Sequence, residues 1–176
     1  SPSLIFLVFL YMDFGANPQA ALYDVMFLLL VLMSIFLHEL GHAFGNLVYG
    51  VPVKRVVLYA GGGYCESSPI STPYEEEFIV AMGPVVTLAL WAGAGLIAPF
   101  IADPEIAWVF YTLSIINFFL AVLNLMPVLP LDGGKLFYLM LLRVMPGQMA
   151  TRIAGFVGLL VALAWLPGML MGYYFL

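Results

Sequence analysis

Long apolar runs separated by short polar breaks dominate the chain. Four runs are long enough for a membrane-crossing helix, which needs about 20 mostly apolar residues. Tyr23–Tyr49 is broken only by Ser34, Asn46 and the polar cluster at 38–42, and Phe78–Ile101, Ile106–Met126 and Ile153–Tyr174 follow it. Pro127 and Pro130 end the third run, because proline removes a backbone donor and blocks the preceding turn. The last run carries Pro167 and Gly168 but no charge. Leu4–Met12 is apolar yet too short to span and reads as the stump of a first helix, without the basic leader and cleavage site of a signal peptide. Leu136–Leu142 is also short and continues the chain beyond the break at 127–134.

The longest polar interval is Gly50–Pro73. Within it, Val53–Tyr59 is β-branched and apolar, Gly61-Gly62-Gly63 breaks it, and Tyr64–Glu66 resumes, a pattern that predicts a strand, a turn and a second strand. The next helix has a complete start signal: Thr72 to cap, Pro73 at the first helical position and Glu75 to close a capping box. Glu75–Glu77 then lie at the positive end of that helix's dipole, so this acidic run is structural. The pattern predicts an all-α polytopic membrane protein, a helix core with a small β-hairpin inserted at about residues 53–66.

Composition agrees. Of 176 residues, 64% are hydrophobic and 9% charged, and mean hydropathy is +1.09, against about 25% charged in a soluble domain. One domain suffices for this length. The net charge of −5 with five Lys plus Arg excludes a nucleic-acid binder, which needs a basic face. A single cysteine, Cys65, excludes an internal disulfide framework and any cysteine-based zinc site. Lys54, Arg55, Arg143 and Arg152 fall on one side of the predicted crossings; Asp13, Asp24, Asp103 and Glu105 fall on the other. The positive-inside tendency then makes the 50–73 and 143–152 loops cytoplasmic.

Both histidines of the chain lie in His38-Glu39-Leu40-Gly41-His42, an H-E-x-x-H motif inside a helix. At about 100° per residue, positions 38 and 42 stand about 40° apart on one face, one turn above the other, where two imidazoles can hold one zinc ion. Glu39 is near enough to serve as general base for a zinc-bound water. Helix-packing histidines with a stray carboxylate would be a costly alternative, because ionisable groups are expensive in a lipid-spanning segment. A catalytic zinc takes three protein ligands and keeps one position open. The metzincin third histidine is excluded, since Val48 stands in its place. Cys65, Glu66 and Asp132 remain. Glu66 has the setting of a solvated loop residue and Cys65 that of a small apolar strand residue. Asp132 follows the proline-broken stretch Asn124–Leu131 between two apolar runs, and irregular backbone at membrane depth is tolerated where it lines protein or a wet cavity. Alternatively, Asp132 caps the segment that begins at Gly133.

His38–His42 together with N-x-x-P-x-x-P-x-D-G over Asn124–Gly133 resembles the site-2 protease family of intramembrane zinc metalloproteases. Ala81-Met82-Gly83-Pro84 also resembles an element of that family's next membrane helix. The resemblance covers about residues 23–145. It implies a three-helix catalytic core, one zinc held by His38, His42 and Asp132, water activated by Glu39, and an oxyanion steadied by Asn124. It implies that the Val53–Glu66 region is the family's membrane-associated sheet. The expected activity is hydrolysis of peptide bonds in or near transmembrane helices of membrane-protein substrates within the lipid bilayer. Thr87 stands where many relatives have asparagine, so no role is assigned there. The chain shows neither a PDZ insertion nor a CBS domain, and residues 1–176 are expected to form a single transmembrane metalloprotease domain. The competing expectation is a zinc-binding membrane protein without protease activity, a transporter or a degenerate relative. Transporters usually show repeated halves, and this sequence has no repeat.

Overall fold

The computed structural model describes residues 18–59, 62–68 and 72–175, so the apolar stretch Leu4–Met12 lies outside the described residues. The order of elements is α1 (Pro18–Val48), β1 (Val53–Tyr59), β2 (Gly62–Ser67), α2 (Pro73–Ile97), a 3₁₀ turn (Ala98–Phe100), α3 (Pro104–Asn124), α4 (Asp132–Leu142) and α5 (Gly147–Phe175). Among the described residues, four helices are long and apolar enough to cross a membrane, namely α1, α2 with its 3₁₀ turn, α3 and α5. The protein is therefore a mostly helical, multi-pass membrane protein, with a small two-stranded sheet among its described residues.

Helix ends differ from the apolar runs by a few residues, for a physical reason. At about 1.5 Å per residue, the 31 residues of α1 exceed the roughly 30 Å hydrocarbon thickness. The hydrogen-bonded helix can thus continue past the apolar run into the interface. Asp24 consequently lies inside α1, and Arg152 inside α5 rather than in the turn before it. The start signal of α2 is realised: Thr72 accepts from the Glu75 backbone while Glu75 accepts from the Thr72 N–H, with Pro73 at the helix start. Gly50, at φ 66°, turns the chain out of α1.

The chain divides into two compact units, one ending at Ala121 and one starting at Val122. In the first, α1 packs along α2. A Cβ on Gly41 would meet the Met82 carbonyl carbon at 2.9 Å, and one on Gly45 would meet the Ile79 Cα at 2.9 Å. This Gly-x-x-x-Gly stripe lets two membrane helices approach backbone to backbone. Helix α3 is tied to the pair by polar bonds: Asn117 Nδ2 donates to Ser34 Oγ at 2.9 Å, and Ser114 Oγ donates to the Trp91 carbonyl at 2.9 Å. Edge-to-face contact of Tyr23 with Trp108 adds to the α1–α3 seam. Among the described residues the largest fully buried side chains are Asn46, Asn117, Thr87 and Ser34, whereas Leu29, Leu47, Leu96 and Phe119 lie outside. That inversion is expected where the solvent is lipid: apolar groups gain nothing by leaving it, and polar groups find partners only inside.

In the second unit, residues 125–131 leave helical geometry and fold over the first turn of α4. A Cβ on Gly133 would collide with the Leu125 carbonyl, and one on Gly134 with the Val128 backbone. The Asp-Gly-Gly sequence therefore exists to let an irregular segment lie flat on a helix start. Gly158 of α5 completes the packing, with the Pro127 carbonyl and Val128 Cα both 3.5 Å from where its Cβ would be.

Candidate active site

Helix α1 carries Ser34, His38, His42 and Asn46 at a spacing of four residues, which makes one slowly winding polar stripe. Ser34, His38 and Asn46 are buried and His42 is half-buried. The Nε2 atoms of His38 and His42 face each other at 3.2 Å. Glu39 contributes a carboxylate oxygen, and the three groups lie within 4.8 Å of one another. Glu39 itself is 6% exposed and His38 4%, so this is an ionisable cluster deep in a membrane protein.

Three features suit the cluster to zinc. Two Zn–N bonds of about 2.0–2.1 Å at a tetrahedral angle place the nitrogens about 3.3 Å apart, close to the observed 3.2 Å. His42 Nδ1 lies 2.9 Å from the Ile79 carbonyl oxygen of α2. As only an N–H can satisfy that carbonyl, the proton is assigned to Nδ1 and the Nε2 lone pair points at His38, the arrangement that ligating histidines generally have. Finally, a Cβ on Gly83 would collide with the Cε1 and Nε2 atoms of His42 and lie 2.8 Å from His38 Cε1. Glycine here leaves the imidazole pair a cradle that no other residue would leave. His38, Glu39 and His42 can thus hold one zinc ion, with Glu39 placed either to ligate it or to act on water beside it.

The β-hairpin covers this cluster from one side. Its register pairs Val56 with Cys65, Val57 with Tyr64 and Leu58 with Gly63, so Val56, Leu58, Gly63 and Cys65 share one face and Arg55, Val57, Tyr64 and Glu66 the other. Both strands pack on α1. On the outer face, Arg55 Nε donates to Glu66 Oε2 at 2.7 Å and Lys54 Nζ lies 3.7 Å from Glu66 Oε1. The hydrogen bond and charge of Arg55 hold the Glu66 carboxyl below its usual range. Glu66 is therefore committed to an ion pair away from the histidines, as its solvated setting in the sequence implies. Cys65 lies half-buried on the inner face, and burial, then the nearby Glu39 carboxylate, push its thiol pKa up. Cys65 is not part of the His38, Glu39 and His42 group whose ligand atoms converge.

Asp132 and Asn124 belong to the other unit. Asp132 is the first residue of α4, half-buried, with Leu131 at the capping position. It is thus part of the helix rather than its cap. Asn124 is half-buried at the last position of α3, where the irregular segment begins. Thr87, to which no role is assigned, turns inward and donates to the Pro84 carbonyl at 2.9 Å, satisfying a carbonyl near the proline in α2. The Ile79 carbonyl carries no side-chain signal that a sequence could show. The Gly41–Gly45 spacing and Gly83, in contrast, are visible signals whose meaning emerges only beside α2.

Residues 99–165 match the model of Peptidase family M50. A zinc metalloprotease of Methanocaldococcus jannaschii is 31% identical over 93% of this chain and 48% of its own length. The stage IV sporulation protein FB of Bacillus subtilis is 34% identical over 72% of this chain and 44% of its own length. The chain thus spans about half the length of these curated relatives or slightly less. Among solved structures, the site-2 protease from Methanocaldococcus jannaschii superposes with a TM-score of 0.73 at 26% identity, covering 97% of this chain and 77% of that one. A membrane-buried H-E-x-x-H pair at zinc-binding separation and the hairpin above it therefore stand in a chain that is similar to peptidase family M50 and, in fold, to a site-2 protease.

Proposed function

We propose that this protein is an intramembrane zinc metalloprotease that hydrolyses peptide bonds within or near the transmembrane helices of membrane-protein substrates. The observation that carries this reading is the 3.2 Å approach of the two histidine Nε2 atoms with Glu39 in the same buried group. In this reading His38 and His42 are two zinc ligands and Asp132 is the third. When bound, the ion supplies Lewis-acid polarisation of the scissile carbonyl and lowers the pKa of water toward about 7. Glu39 accepts the proton of the attacking water and returns it to the leaving amine, a role worth about 10²–10⁴-fold. Asn124 donates a hydrogen bond to the developing oxyanion. One such donor is typically worth about 2.7–4 kcal/mol.

A substrate helix must unwind before it is cut, because its carbonyls are otherwise occupied. Among the described residues the sheet has only two strands, so main-chain groups along Val53–Tyr59 are available to an extended substrate by strand addition. The 50–73 and 143–152 loops face the cytoplasm in this reading, on the side that carries Lys54, Arg55, Arg143 and Arg152. The whole chain acts as one transmembrane catalytic domain. The test is incubation of purified, detergent-solubilised protein with a panel of tagged single-span membrane proteins, with cuts mapped by mass spectrometry. Cleavage within a span that Glu39→Gln abolishes supports the proposal. No cleavage by protein shown to hold one zinc per chain would replace it with a zinc-binding, non-proteolytic role.

A further inference from the structure

The inner face of β2 comes closest to the Glu39 side chain at Gly63. A Cβ built on Gly63 would lie 2.7 Å from Glu39 Cγ, 3.1 Å from Glu39 Oε1 and 3.1 Å from Ile35 Cγ2. Glycine at this position is not explained by backbone conformation, since the positive φ angles among the described residues are at Gly50 and Gly62. Nor is it explained by the histidines, which Gly83 and not Gly63 adjoins. What the absent side chain leaves room for is the stem of Glu39. Ile35, one turn earlier on α1, closes the same gap from below. Cys65, two residues along the strand and on the same face, also lies within the field of the Glu39 carboxylate. The hairpin's inner face therefore forms a wall against Glu39, with main chain where a side chain would otherwise be.

We propose that Gly63 is a positioning residue for Glu39: the β2 backbone seats the carboxylate beside the histidine pair, and any side chain at 63 displaces it without disturbing the histidines. This rests on Glu39 acting as general base. A methyl group at 63 forces the Glu39 stem to move by about 0.7 Å to reach ordinary contact distance. Misplacement of a catalytic group by about 1 Å can cost about 10²-fold. The hairpin thus sets catalytic geometry as well as covering the site. Because the contact is at Cγ and not at the flexible carboxylate end, rotation of the last torsion alone does not relieve it.

The experiment compares parent, Gly63→Ala, Glu39→Gln and the double variant as purified chains, with Gly155→Ala, where a Cβ meets nothing within 4 Å, as the control substitution. Zinc content is expected to be one per chain in all of them. The first readout needs no substrate: the rate of Cys65 alkylation by N-ethylmaleimide changes at least threefold in Gly63→Ala relative to parent, and does not differ between Glu39→Gln and the double variant, because no charge is left to displace. An equal factor in both backgrounds would mean that residue 63 acts on Cys65 directly and would overturn the proposal. The second readout is cleavage of a doubly tagged single-span protein with Gly and Pro in its span. Gly63→Ala lowers kcat about 10²-fold with KM unchanged, and adds no further loss to Glu39→Gln. Parental kcat in Gly63→Ala, or additive losses, would overturn it. If the parent itself cuts nothing, the protease reading fails while the alkylation rates still decide whether Gly63 seats Glu39.

Discussion

His42 Nδ1 stands 2.9 Å from the carbonyl oxygen of Ile79, across the seam between α1 and α2. That single bond joins the metal centre to helix packing. The carbonyl fixes the imidazole tautomer, and it can reach the ring because Gly41 and Gly45 let the two backbones close together. A change in how α2 lies on α1 is therefore felt directly at the histidine pair.

Gly83→Ala should weaken zinc binding by about 10–100-fold, the usual cost of disturbing the groups that orient a ligand, because the added methyl meets the His42 ring. Zinc competition with a calibrated chelator measures it. Unchanged affinity would show that α2 yields at this point and that the cradle is not required.

Glu39→Gln preserves size and hydrogen-bonding capacity but cannot accept a proton from water. Zinc content should stay near one per chain while turnover falls by at least 10²–10⁴-fold. Metal analysis and cleavage of a tagged single-span protein give the two numbers. Parental turnover would remove Glu39 from the mechanism, and loss of zinc would recast it as a ligand.

Asp132→Ala should release most of the zinc. Glu66→Ala should not, since Glu66 is held by Arg55 and Lys54 on the outer face of the hairpin, and Cys65→Ser should not, since Cys65 lies outside the His38, Glu39 and His42 group. Full zinc retention in Asp132→Ala would reassign the third ligand.

Ser34→Ala removes the acceptor of the Asn117 Nδ2 bond, between two side chains that are both 0% exposed. Interhelical hydrogen bonds in membranes contribute about 0.6 kcal/mol on average and about 1.7 at most, so the α1–α3 contact should lose stability within that range. Reversible unfolding in mixed micelles measures the change. A cost well above about 2 kcal/mol would indicate that Ser34 supports more than this one bond.

A cysteine placed at residue 64 of a Cys65→Ser variant should be labelled by a membrane-impermeant maleimide only from the cytoplasmic side, Tyr64 lying on the outer, exposed face of the hairpin. Labelling in intact cells would invert the assigned topology.

The membrane as solvent, the four crossings, the hairpin, the start of α2 and the metal-binding pair were all legible in the amino-acid order. Each is a local property: a run of apolar residues longer than a bilayer is thick, a capping box that closes within four residues, two histidines one helical turn apart. The N-x-x-P-x-x-P-x-D-G segment was legible too, since its irregular backbone follows from its prolines. Whatever depends on which residues from distant parts of the chain meet was settled by packing. Cys65 and Glu66 are adjacent in sequence, yet alternation along β2 turns the thiol toward Glu39 and the carboxylate toward Arg55. Gly63 and Gly83 are ordinary glycines until β2 and α2 are laid against α1, one beside Glu39 and the other beside His42. The carbonyl of Ile79 is the extreme case, because every residue has one and only the packing of two helices selects which one a histidine will use.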